Sequence, residues 1–210
     1  MGHGTGGGGG DPDPVDPVDP VDPVDPVDPV DPVVDCATNG PTLRKLPTWG
    51  RKSNHSSSAT HFEWPTMDDL AEMDNCGLDA TVTSMYFESF APQNGNSISK
   101  IQIHLSNGVS SPIFYNDEFP TYNPTTIEFD DPRPIRQVAA YDGPNYVHTI
   151  KFNDANGDLV YSFNPFDYTY ATRSPDLLKE NEEIIGVYGV YTEYWFDAMG
   201  FIVKVTDQGN

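Results

Sequence analysis

The sequence has few cysteines, few basic residues and no long apolar run. Only 2 of its 210 residues are cysteine, too few for a disulfide-rich scaffold. Lys and Arg total 11 against 32 Asp and Glu, so the formal net charge is −21. A chain this acidic is repelled by phosphate backbones and anionic lipid, so nucleic acid and membrane surfaces are poor partners. No apolar stretch is long enough to cross a bilayer, and we expect no membrane insertion.

The first residues lack the features of a targeting segment. Met-Gly-His-Gly-Thr-Gly has neither a basic n-region nor an apolar h-region, and Gly6 breaks the myristoylation pattern. We nevertheless predict a secreted, extracellular protein, on grounds given below. Either a signal has been removed before residue 1, or the true N-terminus is absent.

A Gly-rich segment (residues 1–10) leads into a repeat over residues 11–35, in which six Val-Asp-Pro triplets run from Val15 to Pro32. Because Pro fixes φ and pushes the preceding Asp out of the α region, the repeat predicts a polyproline-II stalk. Three residues per turn give separate Val, Asp and Pro stripes, over a length of roughly 75–80 Å. The stalk is either a stiff, self-repelling spacer or an element that self-associates through its Val stripe.

No cofactor is predicted for the folded part of the chain. Calcium is a hypothesis for the stalk alone, because hard cations prefer the carboxylate oxygens that its Asp row presents.

Residues 36–76 are predicted to be a polar connector. The connector carries Arg44, Lys45, Arg51 and Lys52, which either pair with the Asp stripe or are ordinary linker charges. Within it, Thr66 is expected to cap a short helical turn that ends near Asp74.

Two features of the connector favour secretion. Cys36 ends the repeat and Cys76 precedes the apolar part of the chain, which favours a disulfide between them. The alternatives are a buried thiol at Cys76 or a cross-chain bond at Cys36. Asn54-His55-Ser56 is an acceptor sequence for N-glycosylation at Asn54.

Residues 77–210 show the pattern of an all-β domain. Ile101, Ile103 and Leu105 alternate with polar residues, and Asn107-Gly108 and Asn156-Gly157 are tight-turn signals. Many short strands at regular spacing indicate a sandwich, barrel or prism. Further strands are predicted over 135–140, 148–152, 159–163, 184–190 and 195–205.

Nothing in the sequence indicates an enzyme. The five histidines lack metal-ligand spacing, and there is no nucleophile elbow or phosphate loop, so no catalytic residue and no metal site are predicted. Residues 154–158 resemble a calcium loop only loosely, and turn chemistry explains them better because the closing Glu is missing.

The closing strands hold a candidate sugar site. A sugar needs a carboxylate acceptor, N–H donors and an aromatic wall, and Asp197, Trp195 and Tyr194 supply these groups together. The alternative is that the two aromatic residues belong to the core and that Asp197 is a turn acid.

Residues 184–189 (Ile-Ile-Gly-Val-Tyr-Gly) and 194–200 (Tyr-Trp-Phe-Asp-Ala-Met-Gly) resemble the closing strands of jacalin-related lectins. Residues 98–115 and 135–163 resemble the early strand pair and central Greek key of the same family, so the likeness covers about 77–205. It implies a β-prism of three four-stranded Greek-key sheets that binds saccharides without metal.

The resemblance also implies residue roles. Asp197 would accept sugar hydroxyls, Tyr194 and Trp195 would donate backbone N–H groups, and Tyr146 would lie beside the sugar. Gly77 would be what remains of the family's Gly-rich first loop. Glu193 stands where the family usually has glycine.

Together these features predict an extracellular lectin module whose partners are glycans and which the stalk presents or assembles. The alternative is a structural subunit of an extracellular filament or coat, assembled through the repeat, with a vestigial sugar pocket.

Overall fold

The computed structural model describes residues 36, 40–50, 59–90, 97–115, 121–142, 147–163, 175–192 and 196–206. The predicted polyproline stalk and the predicted glycosylation site at Asn54 lie outside these residues.

The described residues form thirteen strands, one short helix and one 3₁₀ turn. The strands are β1 Thr42–Lys45, β2 Trp49–Gly50, β3 Thr60–Trp64, β4 Val82–Phe90, β5 Ser97–Leu105, β6 Phe114–Tyr115, β7 Thr121–Glu128, β8 Gln137–Asp142, β9 Val147–Asn153, β10 Leu159–Phe163, β11 Asp176–Leu177, β12 Glu182–Tyr191 and β13 Phe196–Val205. The helix α1 is Met67–Ala71, and the 3₁₀ turn is Asp74–Gly77.

The strands make three antiparallel sheets, as the β-prism prediction requires. Sheet I has the order β1-β13-β12-β3, with β2 pairing to β13 as a fifth strand. Sheet II has the order β10-β9-β8-β11, and sheet III the order β6-β5-β4-β7. The all-β prediction and the three-sheet prediction are both confirmed.

Strand β5 shows how the sequence pattern places residues in the core. Ile101 and Ile103 are fully buried and Leu105 nearly so, while the residues between them are partly exposed. The strand ends at the predicted Asn107-Gly108 turn, where Gly108 adopts a φ of 83°. The alternation and the turn signal were therefore sufficient to predict this element.

Two pairs of aromatic rings join the three sheets in one core. Phe87 of sheet III stacks on Phe163 of sheet II, with ring centroids 4.9 Å apart. Phe152 of sheet II packs edge-on against Phe201 of sheet I at 5.5 Å. All four side chains are buried, so the sheets enclose a single continuous apolar interior.

The residues predicted as a polar connector contribute strands to sheet I, which corrects the predicted domain boundary at residue 77. Strand β1 pairs with β13, and β3 pairs with β12. These strands are short and largely polar, so their own pattern is weak, and pairing with the buried β12 and β13 decides their conformation. A compact unit accordingly spans Val34–Asn210.

Two local predictions within this region are confirmed. Thr66 is the N-cap of α1, and with Asp69 it forms a reciprocal capping box that satisfies backbone donors at the start of the helix. Cys36 and Cys76 form a disulfide with a Cα–Cα distance of 5.5 Å, which excludes the free-thiol and cross-chain alternatives here.

The basic residues of β1 pair with acids of the domain. Arg44 forms a two-pronged hydrogen bond with Glu182, at 2.9 and 2.5 Å. Lys45 binds Glu63 at 2.5 Å on the exposed side of the sheet. In the structure, therefore, these two cations already have carboxylate partners.

Candidate functional site

The candidate carboxylate, Asp197, lies near the start of β13, at the end of sheet I where β12 stops. The register pairs Tyr191 with Phe196 and Val190 with Ala198, and it shifts between the two pairs. A shift of this kind bends the strands locally and re-aims the side chains beside it. Asp197 is only 2% exposed, so a ligand that binds its carboxylate must reach a buried group.

Gly50 packs directly against the backbone of Asp197. It has a φ of 95°, and a Cβ placed on it would lie 2.1 Å from the carbonyl oxygen of Asp197. Only glycine accommodates both the positive φ and this contact. The close approach lets β2 pair with Ala198 and Met199 and holds the strand carrying Asp197 from one side.

Sequence reasoning missed Gly50 as a residue of the site. The available signal was the Trp49-Gly50 pair, an isolated bulky apolar residue and a glycine within an otherwise polar stretch. Trp49 is 1% exposed, so it anchors β2 in the core beside the site. Strand β2 also contacts β8, which ends at Asp142, shortly before the predicted site residue Tyr146.

An aromatic cluster surrounds the same end of sheet I. Phe196 packs edge-on against Phe62 at 5.1 Å, and Tyr191 lies 6.0 Å from Phe196. Phe114 of sheet III completes the cluster, 4.7 Å from Phe62. Tyr191 and Phe114 are only partly buried, so part of the aromatic surface at this end of sheet I is exposed.

The structure does not bring Gly77 to Asp197. The buried Lys204 ammonium donates hydrogen bonds to the carbonyl oxygens of Leu78 and Ala80, at 2.7 and 2.5 Å. Lys204 is seven residues along β13 from Asp197, which is about 23 Å at the usual strand rise. Gly77 instead packs against Met73 and Leu70, so we assign it a packing role.

The remaining predicted site residues, Tyr146, Tyr194 and Trp195, lie outside the described residues. The structure therefore shows Gly50 against the backbone of Asp197, and an aromatic cluster that includes the preceding residue, Phe196. A carboxylate beside aromatic surface can accept hydroxyl hydrogen bonds and pack against an apolar ring face.

The described residues contain no group of three or more His, Cys, Asp or Glu side chains arranged to hold a metal ion. Asp154, in the segment compared with a calcium loop, accepts hydrogen bonds from the backbone N–H groups of Asn156 and Asp158, at 2.8 and 3.0 Å. This is the turn chemistry that the sequence favoured, because the aspartate replaces a backbone acceptor inside the β9–β10 turn.

A partly buried polar cluster in sheet III perturbs one tyrosine. The Tyr86 hydroxyl donates a hydrogen bond to Glu88, whose carboxylate lies 3.1 Å from the Lys100 ammonium. Burial, the hydrogen bond and the nearby negative charge together raise the pKa of Tyr86 to about 12. Tyr86 is therefore held neutral, as a structural donor.

Among the helices of the described residues, none has the length and apolar character needed to cross a membrane.

The three-sheet arrangement is the β-prism fold of jacalin-related lectins, and such lectins are structural neighbours of this chain. The artocarpin–mannotriose complex matches with a TM-score of 0.51 at 15% identity, covering 77% of this chain and 97% of artocarpin. Single-chain recombinant jacalin matches at 18% identity with a TM-score of 0.47, covering 79% of this chain and 95% of jacalin. PirB matches with a TM-score of 0.51 at 12% identity, covering 79% of this chain and 39% of PirB.

No protein-family model matches the sequence. A search of curated proteins finds no match either. The likeness therefore lies in the fold rather than in the residue identities.

Proposed function

We propose that the domain is a carbohydrate-binding module whose site is built around Asp197. The observation that carries the proposal is the position of Asp197 near the start of β13, where its backbone packs against Gly50 and the adjacent residue Phe196 belongs to a partly exposed aromatic cluster. The role is binding rather than catalysis, because a carboxylate and aromatic surface are the groups that hold a sugar.

Within this site Asp197 accepts two sugar hydroxyls. Tyr194 and Trp195, which immediately precede β13 in the chain, donate backbone N–H groups, and Tyr146 adds an aromatic face. The low exposure of Asp197 implies a small terminal sugar unit, since a branched or internal unit would not reach the carboxylate.

Mannosides are the first ligands to test. Solved artocarpin complexes contain mannotriose, methyl-α-mannose or mannopentose, and artocarpin shares the fold with TM-scores of 0.51, 0.51 and 0.50. At 12–18% identity the sugar specificity does not transfer with the fold, so the screen must include other glycans.

We further propose that the module works outside the cell, in several copies. The Cys36–Cys76 disulfide is of the kind that persists in oxidising compartments, and Asn54 stands in an acceptor sequence for N-glycosylation. Single sugar sites bind weakly, so presentation of several modules through self-association of the stalk would raise avidity by roughly 10²–10⁴.

The second candidate function is a structural subunit of an extracellular filament or coat. The regular Val stripe of residues 15–32 favours it, because a simple spacer does not need a periodic apolar face. In that case the repeat drives assembly and the prism is a building block.

The lectin proposal is tested by a glycan-array screen of the protein beside its Asp197→Asn and Asp197→Ala variants. Loss of binding in both, with unchanged thermal unfolding of the Asn variant, supports the site, because Asn keeps the shape of the side chain and removes its charge. Asp158→Ala is the matched control, since it removes an exposed acid in the β9–β10 turn and should leave binding unchanged. Absence of binding by the folded wild-type protein would reject the lectin and favour the structural subunit.

A further inference from the structure

A cavity lies at the end of sheet I opposite to Asp197. The cavity opens beside the first residues of β12, including Glu183. Asp197 instead lies opposite the last residues of that strand. The cavity has a volume of about 300 Å³. That is at the small end of the range for ligand sites, which suits one or two sugar rings.

One wall of the cavity is aromatic. Phe129 and Tyr161 both line it, with ring centroids 4.9 Å apart and the rings tilted by 50°. Both side chains are partly exposed, and the Tyr161 hydroxyl accepts a hydrogen bond from the backbone N–H of Asp131. The wall is therefore held in place and offers an apolar surface of the kind that packs against the face of a sugar.

The three carboxylates that line the cavity each form an ion pair with a cation of this chain. Each of the three lies within ion-pair distance of one basic side chain. The pairs are Asp131–Arg133 at 2.7 Å, Glu182–Arg44 at 2.5 Å and Glu183–Lys204 at 3.5 Å.

Arg136 also lines the cavity, and its hydrogen bonds within the described residues go to backbone carbonyls. It donates to Ile135 at 2.9 Å and to Glu180 at 3.3 Å. A guanidinium has five N–H donors in a fork suited to a carboxylate, so donors remain for a ligand. Among the residues that line the cavity, Arg136 is therefore the cation without a carboxylate partner within the described residues.

We infer that this cavity binds a carboxylated sugar such as a hexuronate, with the sugar carboxylate on Arg136 and the apolar ring face against Tyr161 and Phe129. The Glu183 and Arg133 side chains are placed at the cavity to meet the hydroxyls. This site is separate from the proposed site at Asp197 and does not depend on it. With both sites occupied, one prism would bridge two sugars from its opposite ends.

Titration of the isotope-labelled protein with glucuronate, followed by NMR, tests the inference, and glucose is the neutral control. We expect a dissociation constant on the order of 1 mM, since a ligand of this size gains little affinity per atom. Signals of Ile135, Val82 and Ile184, which line the cavity, should shift with glucuronate and much less with glucose. Equal shifts with both sugars, or no shifts at these residues, would overturn the inference.

Variants of Arg136 distinguish the effect of its charge on glucuronate binding from an effect on folding. Arg136→Met should weaken glucuronate binding at least about tenfold, because a charge-assisted hydrogen bond is lost. Lys45→Met removes the same charge from an exposed ion pair that does not line the cavity, and it should leave binding unchanged. Arg136→Lys keeps the charge but loses the two-pronged hydrogen-bond geometry of the guanidinium, so it should bind glucuronate with intermediate affinity. This variant replaces Arg136→Met in the test if the Met variant does not fold.

Asp197→Asn distinguishes this inference from the proposed function. It should abolish glycan-array binding at the first site and leave glucuronate binding intact. Glucuronate binding that is lost with Asp197→Asn, or that survives both Arg136 variants unchanged, would contradict the second site.

Discussion

At the scale of single residues, the candidate site depends on a contact between two backbones. Gly50 lies so close to the carbonyl of Asp197 that no Cβ fits between the strands. The sequence singled out Asp197 from its aromatic neighbours and from a family resemblance. It did not single out Gly50, because a glycine needed for a close approach looks the same in sequence as a glycine in any loop.

Replacing Gly50 by Ala should therefore destabilise the domain by more than the cost of placing an L-residue at a positive φ. A positive φ costs an L-residue roughly 1–2 kcal/mol, and the clash with Asp197 adds to this by separating β2 from β13. Gly108→Ala is the matched control, since Gly108 has a φ of 83° and nothing within 4 Å of an added Cβ. We expect urea unfolding to give a loss of about 1 kcal/mol for Gly108→Ala and at least about twice that for Gly50→Ala. Equal losses would show that β2 moves freely away from Asp197.

The Arg44–Glu182 pair is a second residue-scale feature with a measurable consequence. Glu182 is 1% exposed, and the Arg44 hydrogen bonds hold its pKa below the ordinary value of 4.5. A carboxyl whose pKa is lower in the folded state stabilises the fold at pH above its unfolded pKa. That stabilisation is lost as the pH falls through the folded value.

Arg44→Met should cost about 2 kcal/mol at pH 7, because it leaves a buried carboxylate without its cation. The value is below that of a fully buried pair, since Arg44 is 39% exposed. Denaturant unfolding of wild type and variant between pH 7 and pH 3 should show the difference shrinking once the pH drops below the ordinary Glu value. The exposed Lys45→Met change should cost little at any pH, and a constant difference for Arg44→Met would contradict the assigned cause.

At the scale of elements, the disulfide closes the part of the chain that contains β1, β2 and β3. Cys36 and Cys76 are 40 residues apart in sequence, and Cys76 is 1% exposed. The three strands between them are short and partly polar, and they pair with β12 and β13 rather than with one another. The disulfide therefore closes this segment into a loop and reduces the number of conformations that it adopts in the unfolded chain.

The Cys36→Ser/Cys76→Ser double variant should lose about 4 kcal/mol of unfolding free energy, from the loop-closure entropy of a loop of this length. Chemical denaturation with and without reductant measures it. Reductant should lower the stability of the wild type toward that of the variant and leave the variant unchanged. A reductant effect on the variant, which has no thiols, would show that the loss does not come from this bond.

The same strands show the limit of prediction at the element scale. The alternating apolar residues of β5 and the two Asn-Gly turns predicted their elements directly. Strands β1 and β3 were assigned to a connector because sequence reasoning evaluates each segment alone, whereas these segments are strands through pairing with neighbours more than a hundred residues away.

At the scale of the whole molecule, the chain divides into a unit of residues 1–33 and a unit of residues 34–210. The second unit contains the three sheets, the disulfide and the core that joins them. It has what an independently folding domain requires.

Deleting residues 1–35 should leave the thermal unfolding temperature of the domain within a few degrees and separate the two candidate functions. A lectin keeps its affinity for a monovalent glycan and loses avidity for a multivalent surface. A filament subunit loses assembly, as measured by analytical ultracentrifugation of the full chain and the deletion side by side. Full-length protein that stays monomeric would reject stalk-driven assembly.

The sequence by itself determined the all-β class, the helix cap at Thr66 and the turns, and it favoured a bond between its two cysteines. Each follows from local chemistry, such as φ preference, alternation and capping, or from the fact that only one cysteine pair exists. The tertiary structure alone decided that Gly50 supports Asp197, that Gly77 packs near the other end of β13 and that Arg136 lacks a carboxylate partner within the described residues. These facts depend on which distant segments pair and which charges the pairing brings together. Residue spacing within a sequence does not predict such long-range pairing.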